Sequence, residues 1–96
     1  MIELRKVKVL DKEAEGVSIK TGKTVALIIK AEKGFLACGY FDINVADKVG
    51  DVAAIVKGVK DFEDMLNAKL AAVSKEAKKL GITEEMTGKD ALALMS

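Results

Sequence analysis

Lys33-Gly34-Phe35-Leu36-Ala37-Cys38-Gly39-Tyr40-Phe41-Asp42 decides how this chain is read. It holds the only cysteine and three of the four aromatic residues. From Gly34 to Phe41 it carries no charge, and Asp42 stops it. Side chains alternate across a strand, so Phe35, Ala37, Gly39 and Phe41 share one face and Leu36, Cys38 and Tyr40 the other. Both faces are apolar. The spacing therefore predicts a strand over 34–41 that is covered on both sides, by helices or by another subunit.

Working back from this run, Thr24-Val25-Ala26-Leu27-Ile28-Ile29 is continuously apolar and β-branched, which predicts a central strand. Gly16-Val17-Ser18-Ile19-Lys20 alternates as a half-buried strand does, and Thr21-Gly22 supplies turn chemistry after it. In Ile2 to Leu10, Ile2 and Leu4 share one parity and Val7 and Val9 the other, so a bulge is expected near Arg5-Lys6.

Working forward, Asp42 is placed to cap a short helix over 43–49 that Gly50 ends. Asp51 to Val56 reads as a last strand, stopped at Lys57-Gly58. Asp61 caps a further helix, in which Phe62, Met65, Leu66, Leu70, Val73, Ala77 and Leu80 form one apolar stripe. A break near Asn67-Ala68 would divide it into two. Gly81 and Ile82 fit a Schellman ending, and Thr87 with Asp90 fits a capping box for a short helix through Met95. Leu92 and Met95 are expected to face the core. Strands dominate 1–58 and helices 59–96. That segregation predicts one α+β domain over 1–96, with a mostly antiparallel sheet of about five strands and C-terminal helices packed on it.

With 96 residues and 10.2 kDa, the chain has a modest core, and association is an open route to burying more. Half the residues are hydrophobic and the net charge is +1, with no basic or acidic block, so nucleic acid is not the expected partner. The start lacks the apolar run of a signal peptide, and the longest charge-free run is eight residues, against about 20 for a membrane span. A cytoplasmic protein without a membrane anchor is expected. One cysteine and no histidine exclude an internal disulfide, a multi-cysteine zinc site and every histidine-assisted mechanism within one chain.

Few motifs survive scrutiny. Gly22-Lys23-Thr24 lacks a glycine at the spacing and the strand-to-helix setting of a phosphate loop, and reads as a hairpin turn. Lys33-Gly34-Phe35 with Tyr40 resembles an RNA-stacking strand, but Leu36 and Ala37 stand where a small residue and an aromatic are needed. Asp42-Ile43-Asn44-Val45-Ala46-Asp47 begins like a calcium loop, yet Ala46 and Asp47 occupy the ligand and glycine positions, so no metal site is expected. Asp61, Glu63 and Asp64 read as cap and dipole acids.

Cys38 is the chemical candidate. It lies just before the helix start at Asp42, and Gly39 would let a ligand approach. The opposing reading is a buried thiol acting as a small hydrophobe.

The Lys33-to-Asp42 run is similar to the Lys/Arg-Gly-aromatic-aliphatic-x-Cys-Gly-x-x-Asp segment of the YunC-like proteins, whose domain is of unknown function. Val56-Lys57-Gly58-Val59 before Phe62-Glu63-Asp64-Met65-Leu66 resembles that family's strand and turn into a helix. Leu80-Gly81-Ile82, Met86-Thr87-Gly88-Lys89-Asp90-Ala91-Leu92 and Met95 resemble its ending. Glu85 and Asn67-Ala68-Lys69 depart from the pattern. The resemblance implies an α+β fold and subunits joined through the N-terminal β region as a tetramer, and it carries no activity or cofactor.

The expected protein is therefore a small cytoplasmic homo-oligomer of unknown activity. The alternative is an enzyme or small-molecule binder centred on Cys38 and Asp42, with Lys33 a further catalytic candidate and Gly34, Gly39 and Tyr40 candidates for binding. An RNA-binding module is the third reading.

Overall fold

The structure is a computed structural model and describes residues 2–96. The chain forms β1 (Ile2–Val9), β2 (Lys12–Lys20), β3 (Val25–Lys30), β4 (Phe35–Ala37), α1 (Ile43–Val49), β5 (Ala53–Ile55), α2 (Phe62–Asn67), β6 (Ala72–Val73), α3 (Lys75–Lys79) and α4 (Gly88–Met95). The strands make one sheet in sequence order, β1-β2-β3-β4-β5-β6. Every neighbouring pair is antiparallel except β4 and β5. A parallel pair needs a crossover, and α1 supplies it.

The fold is α+β, as the sequence predicts, with six strands rather than about five. The sixth lies inside the apolar stripe read as helix. That stripe is buried, but by two helices and a strand: Phe62 and Met65 come from α2, Val73 from β6 and Ala77 from α3. The break at Asn67-Ala68 is real, because Ala68 is extended (φ −79°, ψ 146°).

The expected bulge in β1 is absent. Pairing runs without interruption from Ile2↔Ile19 to Val9↔Lys12. The change of parity has another cause: β1 uses both faces. Val7 and Val9 face the helices and are buried, whereas Ile2 and Leu4 point to the opposite face and are 65% and 75% exposed.

The strand expected over 34–41 ends at Ala37. The Phe41 N–H donates to the Cys38 carbonyl at 3.1 Å and folds 38–41 into a turn. Double coverage holds for the strand that remains. Leu36 faces α4 and Ala37 faces the α1 side, and both are 0% exposed.

α2, α3 and α4 cover one face of the sheet. Leu27, Ile29, Leu36, Met65, Leu92 and Met95 form its centre. Each fully buried side chain of this size contributes about 1.5–3 kcal/mol. The end of α2 and the start of α4 touch closely. The Gly88 N–H donates to the Ala68 carbonyl at 2.9 Å, and a Cβ on Gly88 would collide with the Met65 carbonyl oxygen. Glycine is needed there for space. α1 lies on the other face over β5, burying Ala46 against it.

The predicted caps are present. Asp42, Asp61 and Thr87 accept from Asn44, Asp64 and Asp90 N–H groups respectively. Thr87 and Asp90 complete the capping box. The Ile82 and Gly81 N–H groups donate to the Ala77 and Lys78 carbonyls, which is the Schellman pattern, with Gly81 at φ 90°. Ser74, unmarked in the sequence reading, is fully buried. Its Oγ accepts from Ala53 N–H at 2.9 Å and Ala77 N–H at 3.2 Å, and donates to the Asp51 carbonyl at 2.8 Å.

Two substitutions test this packing. Ser74→Ala strips partners from buried backbone groups of β5 and should cost about 1–3 kcal/mol in urea unfolding, with Ser74→Thr costing less. Gly88→Ala should destabilise by a similar amount, about 1–3 kcal/mol, through overpacking against α2. Wild-type midpoints for both variants would refute the assignment.

Candidate functional site

The parallel strands β4 and β5 end side by side. In open sheets with parallel strands, ligands bind beyond the carboxyl ends of the strands, where the following loops diverge. Here those loops are Cys38-Gly39-Tyr40-Phe41-Asp42 after β4 and Val56-Lys57-Gly58 after β5. Gly58 has φ 71°, so the second loop turns sharply.

Three shallow clefts surround the first loop, and Tyr40 borders all of them. One, of about 300 Å³, is lined by Thr24, Val25, Cys38, Gly39, Tyr40, Gly58 and Val59. A second, also about 300 Å³, lies between Gly39, Asp42, Ile43, Ile55, Lys57 and Ala72. The third, about 330 Å³, opens between α1 and the sheet, with Phe35, Phe41, Val45 and Ile55 in its walls.

The loop places the candidate residues as follows. The Tyr40 hydroxyl donates to Thr21 Oγ1 at 3.0 Å, tying the loop to the β2–β3 turn, while the ring is 58% exposed. A Cβ on Gly39 would meet only Lys57 Cγ at 3.6 Å. Its small size therefore opens the rim rather than relieving a clash. Asp42 is exposed, and its Oδ1 accepts from Asn44 N–H at 2.9 Å as the cap of α1. Cys38, Gly39 and Tyr40 share one cleft, and Gly39, Tyr40 and Asp42 another.

Lys33 and Gly34 stand apart, before β4, at its opposite end. The Lys33 N–H donates to the Met95 carbonyl at 2.7 Å and its side chain is exposed. Gly34 is buried, and a Cβ there would lie 2.5 Å from the Val52 carbonyl oxygen. Both serve the joint between β4, the approach to β5, and α4. Sequence reasoning missed Thr21, Thr24, Lys57 and Gly58 as neighbours of the loop. Lys57-Gly58 was legible only as the end of a strand.

Cys38 is 4% exposed. Its N–H donates to the Leu27 carbonyl at 3.0 Å, and Leu27 N–H donates back to Sγ at 3.2 Å. In a regular ladder the Cys38 carbonyl would take that second bond, but it is committed to Phe41 N–H. The thiol stands in for it. This arrangement suits a structural thiol at the floor of the cleft, with Sγ engaged as the acceptor of Leu27 N–H. Among the described residues, no three His, Cys, Asp or Glu side chains gather as metal ligands. The groups gathered around these clefts are an exposed aromatic ring, two hydroxyls, a lysine and an aspartate.

Cys38 should therefore resist alkylation in the folded protein and react at the rate of unfolding. Cys38→Ala should cost about 1–3 kcal/mol by leaving the Leu27 N–H unpaired, and Cys38→Ser should recover part of that. Rapid labelling under native conditions would overturn the structural role.

Comparison with known proteins agrees with this architecture. The chain is 28% identical over 99 residues to the uncharacterized protein YunC of Bacillus subtilis (strain 168), a match covering 99% of this chain and 98% of that protein. It superposes on the crystal structure of a protein of unknown function, TA1206 from Thermoplasma acidophilum, with a TM-score of 0.94 and 32% identity, covering 100% of this chain and 94% of that one. Residues 37–95, from the end of β4 through α4, match the domain of unknown function DUF1805. The chain belongs to the DUF1805 family.

Proposed function

We propose that this protein acts as a homo-oligomer in the cytoplasm, assembled through the N-terminal β region. One observation carries this reading: the face of β1–β3 opposite the helices is apolar and uncovered. Cross-strand register aligns Ile2, Ile19 and Ala26 in one row and Leu4, Val17 and Ile28 in the next. Ile2, Leu4 and Ile19 are 65%, 75% and 42% exposed. A contiguous apolar patch on an open sheet face is a surface through which sheets pack. The row Lys6, Glu15, Lys30 borders it with charge. Two sheets stack about 10 Å apart when such faces meet. The patch is centred on β2 and is self-complementary, which suits a second copy related by a two-fold axis.

A second reading rests on the Tyr40 clefts. Their place beyond the ends of β4 and β5 favours a small-molecule site, held by Tyr40, Lys57 and Asp42 over the Cys38 floor. The two readings are compatible, because the clefts surround the loop after β4 while the patch lies on the open face of β1–β3.

Light scattering at micromolar concentration should give a multiple of the 10.2 kDa chain mass, four-fold if the tetramer implied by the family holds. Leu4→Glu should yield a folded monomer with unchanged circular dichroism. A wild-type monomer at that concentration would remove the proposal.

A further inference from the structure

The open face is too small to hold two copies together alone. Three strands at about 4.8 Å spacing and four residues at about 3.3 Å give a footprint on the order of 200 Å². Stable interfaces bury roughly 800 Å² per partner. Further contact is needed, and two other surfaces of the molecule lack partners. The first is the free edge of β1, eight residues long, where the sheet order ends. A long open edge is a pairing hazard unless something covers it. The second is the exposed flank of α1, where Val45, a wall of the third cleft, and Val49, one turn on, are 58% and 65% exposed. Ala46 is the buried residue of that helix.

We infer that, in the self-association proposed above and resting on it, α1 of each copy lies against the β1 edge of the other. Sterics select this arrangement. α1 stands on the same side of the sheet as the apolar patch. A helix is about 10–12 Å across, as deep as the gap of about 10 Å between stacked sheets. A two-fold axis running across the strands would set α1 upon its own copy in a gap that one helix fills. An axis along β2 avoids the clash. It sets the partner's β3 over β1, and carries the partner's β4 and β5 about 5 Å and 10 Å beyond the β1 edge. The partner's α1, hanging one gap depth from its own β5, then comes level with β1 and beside it.

Rotation about β2 keeps heights along the strands. Ile55 shares a row with Leu4, and Ala53 with Lys6. The α1 segment packed on β5 therefore meets the edge near Leu4 and Lys6, whose side chains lie on the face of the sheet opposite α2, α3 and α4. One arrangement thus covers the patch, the edge and the Val45–Val49 stripe together.

Three measurements test this inference. Wild type and Leu4→Glu, compared by light scattering, report on self-association through the open face itself. Val45→Asp with Val49→Asp should weaken association at least ten-fold, and the helix-favouring pair Val45→Ala with Val49→Ala about five-fold, with the fold retained by circular dichroism. Unchanged association in both pairs would overturn the α1 contact while leaving the face reading intact. Finally, mixing Lys6→Cys chains with Val49→Cys chains under mild oxidation should give a mixed disulfide-linked dimer, the buried Cys38 staying silent. A Val49→Cys chain linking only to its own kind, or no mixed product, would overturn the placement.

Discussion

Ser74 Oγ holds the far edge of the sheet together. Its carbonyl would complete the β5–β6 ladder, yet that oxygen accepts from Lys78 N–H at 3.0 Å to start α3. The hydroxyl takes the carbonyl's place toward Ala53, and also satisfies Ala77 and Asp51. A buried N–H with no partner is costly, so a chain that leaves a ladder to begin a turn or helix must replace the bond it withdraws. Cys38 solves the same problem at the end of β4, where its carbonyl is drawn into the 38–41 turn and the thiol receives Leu27 N–H. The two residues sit where β4 and β6 give way to connecting structure. Both let short strands of two and three residues remain paired.

That constraint shapes the candidate site. The loop after β4 can turn at once because Cys38 closes the ladder behind it, and this abrupt turn sets Gly39, Tyr40 and Asp42 at the rim. Asp42 then starts α1, whose Gly50 ending (φ 83°) returns the chain to β5 in parallel with β4. The candidate site and the crossover are thus products of one local device.

What could be read in the sequence was local. Caps at Asp42, Asp61 and Thr87, the Schellman ending at Gly81 and the β-branched strand before Lys30 all depend on neighbours within a few residues. The errors were non-local. A stripe with helical spacing from Phe62 to Leu80 is equally well buried by two short helices and a strand, and only the partner strand β5 decides between them. The length of β4 depends on where a carbonyl is diverted. The parity change in β1 resembles a bulge until both faces of the sheet are known to be apolar. At the candidate site, the loop residues were legible, but Thr21, Lys57 and Gly58 reach it from the connections after β2 and β5 and carried no mark of doing so. The role of the thiol was open because burial and reactivity leave the same trace in one sequence.

The division of β1 between two faces also sets how the isolated chain comes apart. Val7 and Val9 anchor one end of the strand in the core beside α4, while Ile2 and Leu4 at the other end bury nothing of their own. Local opening follows local burial. Opening therefore starts at Ile2 and first costs tertiary contact at Arg5, whose guanidinium stacks over the Phe62 ring at 4.9 Å. The chain thus carries a strand whose inner half belongs to its own core and whose outer half is held chiefly by its ladder with β2.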